Sequence, residues 1–228
     1  MSRKTKLIIL LCLSLSVFFI YKITVATTYN LLTLGDGLSQ GINSYGIKDY
    51  GYVDYYKDYL LQETKQVNII DKYSEKDLSI KYLLEKIEWD SSLKRDLLEA
   101  HLLIINVGYN DLIYQLSILD KENISRLNSI VNNIGNDYYQ LIENIRKYYK
   151  NDIIVVGYYA SNKADYYLNY GIKQLNYILS SNNDIIYIDT YNLLKNRSKY
   201  FSNPNSYYPN KSGYSMIANK IIVKTLEK

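Results

Sequence analysis

Side chains able to do chemistry are concentrated in three short stretches of this 228-residue chain. In the first, the apolar run Leu31-Leu32-Thr33-Leu34 breaks into Gly35-Asp36-Gly37-Leu38-Ser39-Gln40-Gly41, which offers a carboxylate at Asp36 and a hydroxyl at Ser39. The second is Gly108-Tyr109-Asn110-Asp111, and the third is Asn205-Ser206-Tyr207-Tyr208-Pro209-Asn210. A serine hydroxyl becomes a nucleophile only beside a base. The only histidine, His101, stands at the far end of the apolar run that leads to Asn110. As a strand that run rises about 3.3 Å per residue, which puts His101 on the order of 20 Å from the end bearing Asn110. Metal chemistry is no better served: Asp36, Asp111 and Asp165 have no His/Cys cluster and no close ligand spacing around them. Gly35-Asp36-Gly37 also lacks the longer glycine pattern and the lysine of a phosphate loop. The residues imply no cofactor and no metal.

The elements that must position these stretches read as alternating strands and helices. Short apolar runs at Asn30–Gly35, Val67–Ile70, Leu102–Gly108, Ile153–Tyr158 and Ile185–Asp189 are the expected strands. Patterns at helical spacing lie between them at Val53–Glu63, Leu78–Ile87, Leu93–Ala100, Ile124–Tyr149 and Ala164–Leu179, and Ser212–Leu226 closes the chain. Strands alternating with helices of this length form βαβ units, hence a parallel sheet covered on both faces, a three-layer α/β/α domain. Such sheets place their sites at the C-terminal ends of the strands, where the first two of the three polar stretches fall.

Residues 1–6 are polar and basic, and Leu7 to Tyr21 is apolar apart from Ser14 and Ser16. Continued through Lys22 to Ala26, the segment is long enough to span a membrane, and the charge before it orients the rest of the chain to the outside. Residues 1–26 are therefore expected to be an uncleaved membrane anchor, with secretion after signal cleavage as the alternative, and 27–228 to be the one domain. Of the formal net charge of +4, Arg3, Lys4, Lys6 and Lys22 all belong to this segment; without them 23 basic residues face 23 acidic ones. Nucleic-acid binding thereby loses its electrostatic footing. The single cysteine, Cys12, lies in the same segment, so the domain has no thiol. The 28 tyrosines against 3 phenylalanines could furnish a sugar-stacking surface, or reflect a compositional bias alone.

Taken together, the three stretches resemble the motif blocks of the SGNH (GDSL-type) hydrolase family, over about residues 30–226. Gly35-Asp36-Gly37-Leu38-Ser39 is similar to its Gly-Asp-Ser-Leu-Ser block, Gly108-Tyr109-Asn110-Asp111 to its Gly-x-Asn-Asp block, and Asn205 to Tyr214 to its Asp-x-x-His-Pro-Asn-x-x-Gly-Tyr block. Within the family, the leader and Gly46 to Tyr55 are most like exported members from low-GC Gram-positive bacteria. The resemblance implies a flavodoxin-like five-stranded parallel sheet and a serine esterase site. It also implies where that site is altered. Gly37 stands at the nucleophile position, Tyr208 at the histidine, Asn205 at the orienting aspartate, and no glycine between Gly51 and Gly108 supplies the remaining oxyanion donor. Asn110 alone matches. Asp36 in such proteins anchors its loop, and the equivalent of Ser39 helps hold the turn.

A phenol with a pKa near 10 is a poor base at neutral pH, and an asparagine cannot stabilise an imidazolium. Two functions are compatible with these residues. The first is a membrane-anchored extracytoplasmic pseudoenzyme that binds a cell-envelope glycan, lipid or protein through the former ester pocket, lined by Gly37, Asn110 and Tyr208. The alternative is an active acetyl or acyl esterase that uses Ser39, or a water held by Asp36, Asn110 and Tyr208.

Overall fold

The structure is a computed structural model that describes residues 28–63, 66–118, 124–161, 164–195 and 198–227, with Thr5, Leu10 and 12–16. Five strands form one parallel sheet: β1 (Tyr29–Gly35), β2 (Val67–Ile70), β3 (Leu102–Asn106), β4 (Ile153–Val156) and β5 (Ile186–Ile188), in the order β2-β1-β3-β4-β5. This is the flavodoxin-like order, whose connections reverse direction between β1 and β3, the place where such sheets open a crevice. The helices are α1 (Tyr52–Glu63), α2 (Ile80–Trp89), α3 (Ser91–Glu99), α4 (Tyr109–Ser117), α5 (Ile124–Arg146), α6 (Tyr166–Ser180), α7 (Tyr191–Leu194) and α8 (Lys211–Leu226).

The period of two in the strands sorts their side chains into two cores. Leu32, Leu34, Leu103, Ile105, Ile153 and Val155 face one side, under α2 to α6. Leu31, Leu102, Ile104, Ile154, Val156 and Ile188 face the other, under α1 and α8. Almost all are fully buried, which is why the strands read as continuous apolar runs rather than as alternating ones.

Short polar side chains set the helix starts. Ser79 accepts from Tyr82 N at 3.2 Å, Asp90 ends α2 and accepts from Ser92 N and Leu93 N to start α3, Asp165 accepts from Leu168 N at 2.9 Å, and Asn210 accepts from Gly213 N at 3.1 Å.

Strands β3 and β4 stop two residues short of the expected Gly108 and Tyr158. Gly108 takes a left-handed backbone (φ 106°) and starts α4, so the chain turns out of the sheet there. Helix α4 itself is absent from the sequence expectation, because its first turn is the polar Tyr109-Asn110-Asp111 block, which shows no apolar spacing of its own. The expected membrane helix over 1–26 lies almost wholly outside the described residues. Among the described residues no helix is long and apolar enough to cross a membrane.

Candidate functional site

At the C-terminal ends of β1, β3 and β4 lies a cavity of about 20 Å³, lined by Asp36, Leu38, Asn106, Gly157 and five tyrosines, 109, 158, 159, 207 and 208. A volume of that size holds about one water molecule. Each wall is tied down. Asp36 N donates to Asn106 O at 2.9 Å, and its carboxylate accepts from Leu38 N at 2.9 Å, closing the turn on itself. Asn106 donates through Nδ2 to Val156 O at 2.8 Å, bracing the ends of β3 and β4. The Tyr158 hydroxyl donates to Val107 O, and that of Tyr159 to Tyr207 O at 2.9 Å. The Tyr109 ring lies nearly parallel to those of Tyr158 and Tyr159, 6.0 and 6.4 Å away, and meets Tyr207 edge-on at 5.9 Å. The buried hydroxyls of Tyr109 and Ser161 are neighbours, yet neither makes a hydrogen bond of normal geometry.

Tyr208 closes the cavity above the first loop. Its N–H donates to Ser206 Oγ at 2.9 Å and its carbonyl accepts from Ser44 Oγ at 2.8 Å, so its backbone is clamped by both loops. A Cβ built on Gly37 would stand 2.7 and 2.9 Å from Tyr208 Cζ and Cε1, and nearer still to the hydroxyl. The phenol therefore fills the volume that any side chain at position 37 would occupy. Burial raises the Tyr208 hydroxyl above its ordinary pKa, with the Asp36 charge adding to the rise, so the phenol is protonated across the physiological range. Asp36 is 3% exposed. Burial raises its carboxyl to about 7, opposed by the Leu38 N–H and assisted by the charge of Asp111.

By sequence the chain matches no family model and no curated protein. By structure it is similar to the lipase Lip_vut3 from a goat rumen metagenome, with a TM-score of 0.75 and 21% identity over 86% of this chain and 97% of that one. It is also similar to the acetylxylan esterase Axe2 from Geobacillus stearothermophilus, in a catalytic mutant, at a TM-score of 0.65 and 16% identity over 86% and 93% of the two chains. The fold is that of the SGNH/GDSL-type hydrolases. Further Axe2 catalytic mutants replace an aspartate or a histidine as the first replaces a serine.

Within this SGNH-type fold, the residues singled out by sequence do not all converge. Asp36 and Tyr208 line the cavity, and Gly37 lies against the Tyr208 phenol without lining it. Asn110 does not line it; its Nδ2 donates to Lys76 O at 3.0 Å and to Leu78 O at 3.4 Å and so holds down the loop before α2. Asn205 is exposed, with its N–H on Asn203 Oδ1 at 2.9 Å. Ser39 is buried, its hydroxyl 2.8 Å from that of Tyr52 at the start of α1, outside the cavity lining. His101 sits at the opposite end of the sheet, where Nδ1 accepts from Asn30 N at 3.1 Å. Asp111 accepts from Ile80 N at 3.2 Å, and Asp165 caps α6. No group of residues among those described could hold a metal ion. The expected pocket lined by Gly37, Asn110 and Tyr208 is thus corrected: Asn110 has turned away and tyrosines close the rest. Tyr158 and Tyr159, which sequence reasoning missed, follow Gly157 directly after β4, and the rule that sites sit at strand C-termini was the available signal.

Proposed function

We propose that the chain is a non-hydrolysing SGNH-fold protein, held at the outside of a cell membrane by residues 1–26. It binds a cell-envelope glycan, lipid or protein at the rim of the sheet. One observation carries the loss of hydrolysis: the Tyr208 phenol occupies the space above Gly37 where a nucleophilic side chain would stand. The change at position 37 and the change at position 208 fit each other sterically, so neither is compatible with the family chemistry alone. The activities named for the similar structures, a lipase and an acetylxylan esterase, point to acylated or carbohydrate material as the ligand class. The test is intact-mass analysis of the purified full chain after a fluorophosphonate probe, with p-nitrophenyl acetate turnover on the same sample. The wild type should give no adduct and no turnover above buffer, and Gly37→Ser/Asn205→Asp/Tyr208→His should gain labelling. A stoichiometric adduct on the wild type overturns the reading.

A second reading rests on Asp36, a buried carboxyl raised to about 7 beside space for one water. Such a group is poised as a general base near neutral pH. Water-based hydrolysis then requires turnover that is lost in Asp36→Asn and kept in Ser39→Ala.

A further inference from the structure

Away from the rim cavity, an open groove of about 560 Å³ runs between α6 and the β5–α7 corner. Two lysines flank one aromatic ring in it. Lys173 Nζ on α6 and Lys195 Nζ after α7 lie 5.7 and 5.5 Å from the centroid of Tyr191. Both lysines are exposed, and neither has a carboxylate partner among the described residues. The one acid in the groove, Asp189, is occupied by Asn192, whose N–H and Nδ2 donate to it at 3.3 and 2.8 Å. Both ammoniums line the same groove, where each attracts an anion. An ammonium is a compact point charge that pairs with phosphate oxygens without a fixed fork geometry.

The rest of the groove is not merely charged. Tyr177, 71% exposed, presents a ring from α6, and Tyr187 forms part of the floor with a buried hydroxyl that has no hydrogen-bond partner. Exposed tyrosine faces stack on the C–H faces of sugar rings, while their hydroxyls remain available to water or ligand. The floor is rigid. The hydroxyl end of Tyr187 packs against Gly157, and Asn176 clasps both backbone polar groups of Tyr158, accepting from its N–H at 2.8 Å and donating to its carbonyl at 2.7 Å.

We propose that this groove binds a phosphorylated sugar, with the phosphate between Lys173 and Lys195 and the sugar ring against Tyr177. It is a binding site separate from the rim cavity, and its test does not depend on whether that cavity hydrolyses anything.

Titration of the full chain with glucose 1-phosphate, glucose and inorganic phosphate, followed by calorimetry at low salt, separates the contributions. Glucose 1-phosphate should bind at least fivefold more tightly than either inorganic phosphate or glucose. Lys173→Gln/Lys195→Gln should weaken it tenfold or more, Tyr177→Ser should weaken it severalfold while leaving inorganic phosphate unchanged, and Asp189→Asn should tighten it. The substituted lysines are exposed, so an unchanged melting curve confirms that folding is intact. Equal binding of inorganic phosphate and glucose 1-phosphate, or undiminished binding by the double lysine variant, overturns the proposal.

Discussion

The rim cavity and the α6–α7 groove meet at Gly157, which lines the first and carries the Tyr187 ring of the second on its bare Cα. Both are walled by tyrosines, yet they are opposite in character. In the cavity the Tyr109 ring stacks on those of Tyr158 and Tyr159, the hydroxyls of these two turn to backbone carbonyls, and among the described residues the enclosed Asp36 carboxyl has no cation paired with it. In the groove the ring of Tyr177 faces solvent and, among the described residues, neither lysine is paired with a carboxylate. The same residue type thus closes a site when tyrosines converge from three segments, and leaves one open when they line up along a helix and a strand edge. A cavity sealed this way behaves as core and an open groove behaves as surface, a contrast with measurable consequences.

The largest effect is expected at Asp36. Its folded-state pKa is raised to about 7 from the ordinary carboxyl value of 3.8, so the folded protein binds more protons than the unfolded chain between those values. Stability is therefore highest below about pH 4 as far as this group is concerned, and falls as pH rises towards 7. A shift of this size is worth up to roughly 4 kcal/mol. Asp36→Asn keeps an acceptor for the Leu38 N–H and removes the titration. Urea unfolding at pH 4.5 and 8 should show the variant gaining on the wild type as pH rises; a difference that does not change with pH would mean that Asp36 is solvated and the cavity open.

Next is Gly37→Ser. Forcing a side chain against the Tyr208 ring is overpacking, worth about 1–3 kcal/mol. Adding Tyr208→His should recover part of the loss, a coupling of about 1 kcal/mol or more in a double-mutant cycle by urea unfolding. Additive effects would show that the phenol does not stand over Gly37. The smallest effect is expected in the groove, where Tyr177→Ser should change stability by no more than about 0.5 kcal/mol, as for surface positions generally. A larger loss would make that ring part of the packing and blur the distinction between the two regions.

Much of the fold was legible because its signals are local. Apolar runs such as Leu102 to Ile105 can be buried only in a sheet covered on both faces, and the apolar spacing between them marked the helices; the caps Ser79, Asp90, Asp165 and Asn210 are equally local but were not read from the sequence. Helix α4 was hidden because its opening residues are polar and its start depends on the left-handed turn at Gly108.

By itself the sequence determined the layered parallel sheet, the placement of Asp36 and Gly37 at its C-terminal rim, and the remoteness of His101, because strand direction and residue spacing suffice for each, whereas Tyr208 was brought to that rim only by its resemblance to a family motif. Only the tertiary structure decided that Asn110 turns its amide to Lys76 and Leu78, that Ser39 is spent on Tyr52, and that Tyr208 fills the space over Gly37. Those outcomes depend on which of several neighbouring acceptors and voids a side chain reaches. For Asn110 and Ser39 that competition is settled over separations of 34 and 13 residues, and for Tyr208 by packing between segments far apart in sequence, as in the hydrogen bond from Tyr214 to Ile42 (a separation of 172) and the one from Ser44 to Tyr208 (164).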